Sequence, residues 1–172
     1  MSHPTTTLQL SELILKSQTE IAQIFSTLPS AKNDDLAGRA WEGKLFATMA
    51  VEKMPEAINK QFIQLLDSAL NPWKGKVFKL DNTGANLWSF RKEFGQYNVL
   101  QQNSLVDDKP CLWLDYDVKS NPIFLRNIRG EVRVLDENQF LARMNWLFNN
   151  QFYCVTYFSL SNPTADDKGV TP

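Results

Sequence analysis

Histidine is nearly missing from this chain: its single copy, His3, stands in a polar N-terminal segment. That argues against Ser-His or Cys-His nucleophilic chemistry, which needs an imidazole fixed beside the nucleophile. Cysteine is scarce too. Cys111 and Cys154 sit in separate apolar runs, and without histidine partners they carry no zinc signature. They read as reduced core thiols, since free cysteine is commonly buried; a bridge would require neighbouring strands with opposed side chains. Neither a Gly-x-Gly-x-x-Gly turn nor a phosphate loop occurs, so no cofactor is called for. Charge of one sign is lacking as well: 18 basic and 19 acidic residues give a formal net charge of −1, which gives no reason to expect a nucleic-acid surface. No apolar run is long enough to span a bilayer. The N-terminus shows neither a basic start nor a cleavable apolar stretch, so the expected setting is cytoplasmic.

What the sequence does contain is short strands. A chain of 172 residues suits one domain with a sizeable core; residues 1–160 are expected to form it, with a polar, disordered tail over 161–172. Residues 8–28 repeat apolar side chains at helical spacing, with Thr5 to Thr7 available as caps and Pro29 as the stop. Residues 38–49 look extended, with Trp41 between Gly38 and Gly43. Pro55 opens a second amphipathic helix through Ile58, Phe62, Leu65, Leu66 and Ala69. From Trp73 onward the pattern is WKGKVFKL, ANLWSFR and QYNVLQQ, then four more strands to Leu160, each bounded by turn residues. Connections this short make neighbours antiparallel. The expected fold is α+β and mainly β: two N-terminal helices and an antiparallel barrel of about seven to nine strands, closed so that no edge is left exposed.

Ser104, Asp107, Lys109 and Pro110, then Asp115 and Tyr116, then Ile128, Arg129, Glu131 and Arg133, form a pattern continued by Phe140 and Leu141 and by Phe158 and Leu160. It resembles a group of uncharacterised bacterial, lipocalin-like (calycin-type) barrel proteins. Trp73 to Phe78 resembles the strand that precedes the pattern in that group, and GRAWEG is similar to the Gly-x-Trp opening of related barrels. The resemblance covers about half the chain and implies a barrel. Gly130 and Ala142 stand where the group has aspartate and glycine, and Asp108 stands at the turn glycine. The resemblance implies no activity, because fold does not fix function.

Alternation along strands puts Leu112, Leu114 and Tyr116 on one face, and Trp113 and Asp115 on the other. Arg129, Glu131 and Arg133 likewise oppose Ile128 and Val132, and periodicity leaves open which face lines the lumen. The three charged residues read either as one wall of a ligand site, where guanidinium would grip a carboxylate, or as a ladder of alternating charges on a solvated sheet. Trp113, Tyr116 and Trp146 are candidates for an apolar pocket wall. Trp41, beside Arg39, is expected to close the barrel floor. The function read from these residues is binding of a small, largely apolar or amphipathic ligand, with an acidic end as one form of it. Two alternatives stand beside it: a histidine-free lyase, isomerase or cyclase using Glu131 and Tyr116, and an interaction module with a filled barrel.

Overall fold

The computed structural model describes residues 10–46, 56 and 73–162. Eight strands follow one another around a closed antiparallel barrel: β1 (Arg39–Phe46), β2 (Trp73–Phe78), β3 (Thr83–Trp88), β4 (Glu93–Asn103), β5 (Pro110–Asp115), β6 (Ile128–Asp136), β7 (Gln139–Phe148) and β8 (Gln151–Ser161). Each strand pairs with the next, and β1 pairs with β8 from Glu42↔Ser161 to Phe46↔Tyr157. Among the described residues no strand edge is left unpaired by the barrel. The strand count falls within the range expected from the turn spacing, and the sequence's turn residues do mark the connections.

Register decides which side chains point inward, because paired residues share a face. Leu112, Val132, Ala142, Phe158 and Leu45 form one continuous inward row across five strands. One position along, Trp113, Glu131, Arg143, Tyr157 and Phe46 form the outward row. Leu112, Val132, Ala142 and Phe158 pack with Trp41, Phe78, Tyr97, Tyr116, Ile128 and Trp146 into one apolar core.

The antiparallel order gives the barrel two unlike ends. At one end β1 starts and β2 stops, and residues 29–37 lie across it. Ala31 and Leu36 join the core there, the Trp41 indole N–H donates to the Leu36 carbonyl at 3.0 Å, and Trp41 meets Phe140 edge-on at 5.0 Å. Trp41 therefore closes the floor, as expected for it beside Arg39. The opposite end is the mouth. There β1 stops and β2 begins, and the β3–β4, β5–β6 and β7–β8 turns surround it.

Among the described residues, three short helices precede the barrel: α1 (Leu10–Leu13), α2 (Gln18–Thr27) and α3 (Asn33–Leu36). The single helix expected over 8–28 is broken at Ser17. Its extended backbone and hydroxyl cap a new helix, with the Glu20 carboxylate returning to the Ser17 N–H at 2.8 Å; this Ser-x-x-Glu capping box is a start signal inside an otherwise helical pattern. Ile21 and Phe25 of α2 cover Leu141, Tyr157 and Phe46 on the outer wall. Thr5 to Thr7, most of the helix expected from Pro55 and the tail beyond 162 lie outside the described residues.

Gly75 fixes how closely β1 and β2 approach. Its φ is +146°, and a Cβ there would lie 1.9 Å from the Trp41 carbonyl oxygen, a backbone atom that cannot step aside. At Gly130 the nearest atom would be the Leu114 Cβ at 3.1 Å, a tight contact that a shift of a few tenths of an ångström relieves. Gly75→Ala should therefore destabilise the fold by roughly 3 kcal/mol or more, and Gly130→Ala by about 1 kcal/mol or less. Urea unfolding of the two variants checks the order.

Candidate functional site: a buried lysine inside the barrel

Lys76 pairs with Trp41 on one side and Asn86 on the other, all three facing into the barrel. Only 4% of its surface is exposed. Its ammonium donates to the Asn86 amide oxygen at 2.6 Å and to the Tyr116 hydroxyl, and the Tyr116 hydroxyl donates to the same amide oxygen at 3.0 Å. Four rings surround it: Tyr97, Tyr116 and Phe158 with centroids at 5.1 Å, and Trp73 at 5.8 Å. Trp73 in turn lies against Gly43, where any side chain would collide with its ring.

Among the described residues no carboxylate pairs with Lys76. That is unusual for a buried cation, which is normally neutralised by a partner. Burial pulls its amine down from 10.5 to about 7, while the aromatic faces favour the charged form. The result is an amine poised between its two states near neutrality. Burial also holds the Tyr97 and Tyr116 phenols well above their usual range, so Tyr116 stays a neutral donor and acceptor beside the lysine.

A different polar cluster lies on the outer wall beneath α2 and residues 104–109. Arg133 is fully buried; its guanidinium grips Asp107 with two bonds, at 2.9 and 2.8 Å, and donates at 2.8 Å to the Phe25 carbonyl in the last turn of α2. Glu131, also fully buried, pairs with Arg143 and accepts the Leu105 N–H at 2.6 Å. The Ser104 hydroxyl accepts from Arg143 at 2.7 Å. Asp108 has a φ of +55°, a left-handed conformation that suits glycine best. Burial pushes the Asp107 carboxyl up, but hydrogen bonds from Arg133 and the Lys109 N–H more than offset this and hold it below its ordinary value.

The six residues singled out in the sequence thus fall on two faces. Tyr116 and Trp146 belong to the inner core. Trp113, Glu131 and Arg133 stand on the outer row, Trp113 donating to the Asn103 carbonyl at 3.0 Å. Arg129 pairs with Asp115 at 3.1 Å, also facing outward. Glu131 and Tyr116 are therefore separated by the barrel wall. Lys76 and Asn86 carried no readable signal, because WKGKVF has apolar residues at both parities and an irregular register between Trp73 and Gly75. Cys111 and Cys154 are free, and burial raises them to about 12 and about 11.

A solvent-open groove of about 910 Å³ runs over the outside of β1–β3, past Glu42, Val77 and Leu87; Lys76, Asn86 and Tyr116 are not part of it. Among the described residues no cluster of three or more His, Cys, Asp or Glu could hold a metal ion, and no helix is long and apolar enough to cross a membrane.

No protein-family model matches the sequence, and no curated protein matches it. A crystal structure of a protein from Thermomonospora curvata is similar in fold, with a TM-score of 0.59 at 14% sequence identity over 90% of this chain and 96% of that one. The class this defines is a closed, eight-stranded antiparallel β-barrel.

Lys76 makes stability depend on pH in a direction that can be worked out. Between about 7 and 10.5 the unfolded chain keeps the proton that the folded chain has lost, so stability contributed at this site rises with pH across that window. Lys76→Met removes the penalty of burying charge. The variant should be more stable than the parent at or below neutral pH, by up to about 5 kcal/mol, and the gap should close as pH approaches the ordinary lysine value. Urea midpoints of both proteins across this range measure it.

Proposed function

We propose that the barrel binds a small, largely apolar molecule whose acidic end is met by Lys76. The observation that carries this reading is a buried ammonium with no carboxylate partner among the described residues, surrounded by four aromatic rings. A ligand carboxylate supplies the missing counter-charge, and the Tyr116 hydroxyl and Asn86 amide orient the ammonium toward it. Tyr116 and Trp146 serve as apolar wall. In this proposal acid recognition passes from Arg129 and Arg133 to Lys76, because Asp115 and Asp107 already engage those guanidiniums. Trp113, Arg129, Glu131 and Arg133 contribute by holding the wall in shape.

The test compares a linear alkanoic acid with the alcohol of equal length, followed by quenching of the tryptophan fluorescence. The parent protein should bind the acid about tenfold more tightly, the worth of a charge-assisted hydrogen bond. Lys76→Met should keep alcohol binding and lose the preference. Acid affinity should also fall as pH rises above about 7, where the empty site has shed its proton. Equal binding of acid and alcohol by the parent, or a preference that survives in Lys76→Met, would contradict the proposal.

A further inference from the structure

We infer that the mouth of the barrel docks onto an anionic lipid surface. The chain is nearly neutral as a whole, yet the two ends of the barrel differ in sign. The closed end carries Asp34, Asp35, Asp81, Asp108, Asp136 and Glu137 on its helix and turns, which outnumber Lys32, Lys79 and Lys109 there. Around the mouth stand Lys44, Lys74, Arg91, Lys92 and Lys119, all outside the buried core and none ion-paired among the described residues. Of the mouth carboxylates, Asp115 and Asp117 are already taken up by Arg129 and Arg126, and Glu93 by Lys79. Such a charge dipole turns one end of a molecule toward a negative surface over distances of about a Debye length.

The apolar side chains at the mouth point the same way. Phe90 is fully exposed at the tip of the β3–β4 turn, and Ile123 is 80% exposed in the β5–β6 connection. Phe124, Phe94 and Leu45 are exposed to about two-fifths. Asn121 bonds the Gln96 backbone at 2.9 and 2.6 Å, which ties the β5–β6 connection to β4. Phe90 and Arg91 have φ of +58° and +56°, consecutive left-handed positions that a side chain adopts at a cost and that glycine or asparagine would fill with less strain. Phe90 is fully exposed there, so among the described residues no packing offsets that strain. Aromatic tips set among basic residues match the interfacial zone of a bilayer, where rings insert at headgroup depth and lysines meet anionic lipids.

Co-sedimentation with vesicles of phosphatidylcholine alone, and of phosphatidylcholine mixed with phosphatidylserine, tests this on the full chain. Binding to the mixed vesicles is expected, weakened by salt, with little to phosphatidylcholine alone. The double variant Arg91→Glu with Lys92→Glu should lower the partition coefficient at least ~tenfold, and Phe90→Ser should lower it too. Leu80→Ser, at the exposed closed end, should leave it unchanged, and circular dichroism checks that each variant folds. Lys76→Met should bind vesicles like the parent, so this result is independent of ligand binding in the barrel. No sedimentation with either vesicle would overturn the proposal and leave the patch to an acidic protein partner. Equal loss in Leu80→Ser and the mouth variants would overturn it as well.

Discussion

Closure between β1 and β8 is the constraint from which the rest follows. Once the sheet meets itself, every second side chain of every strand is committed to one enclosed space and has no alternative face. Most inward positions meet that demand with apolar residues, packed edge-on where they are aromatic. Lys76 does not. Its register opposite Trp41 and Asn86 is fixed by both neighbouring strands, so the amine cannot turn to water without breaking the barrel. The fold thereby holds a charge where it costs stability, which is the behaviour expected of a functional group rather than of a core residue.

The outer wall solves the opposite problem. Glu131, Arg133 and Arg143 are also buried, but each is matched in charge and hydrogen-bonded to backbone or hydroxyl groups. Buried pairs of this kind add little net stability compared with apolar packing, yet losing one partner leaves a costly orphan charge. Their use here is positional: Arg133 ties the end of α2 and the Asp107 turn to β6 at a single guanidinium. The same cluster contains Ser104, Asp107, Glu131 and Arg133, from which the lipocalin-like resemblance was read. Those residues hold a turn and a helix against the barrel, and Asp108 occupies the left-handed position where glycine would sit without strain.

Much of the fold was legible because its signals are local. Alternating apolar residues between Asp136-Glu137-Asn138 or Asn149-Asn150 specify strands and turns whatever their surroundings. Ser17 and Glu20 were legible in principle, but the apolar repeat running through them masked the start of α2. The site was harder to read. The alternation in β5 and β6 separates Tyr116 from Glu131 correctly, yet only the register across five strands says which set faces inward. Lys76 lies in a strand with apolar residues on both faces and an irregular register, so no period in the sequence could assign it to the lumen. Its partners Asn86 and Tyr116 are 10 and 40 residues away in the chain, a proximity that only tertiary pairing creates.

A basic, apolar mouth and an amine within the barrel would together suit a protein that takes an acidic, apolar molecule from a lipid surface. The central element is the state of Lys76, and it can be observed directly by following its side-chain ε-carbon resonance through a pH titration, with Lys76→Arg supplying the assignment. The account predicts a midpoint near 7 in the ligand-free protein and a marked rise once a carboxylic acid is bound. A midpoint near the ordinary value of 10.5, unmoved by the acid, would contradict it.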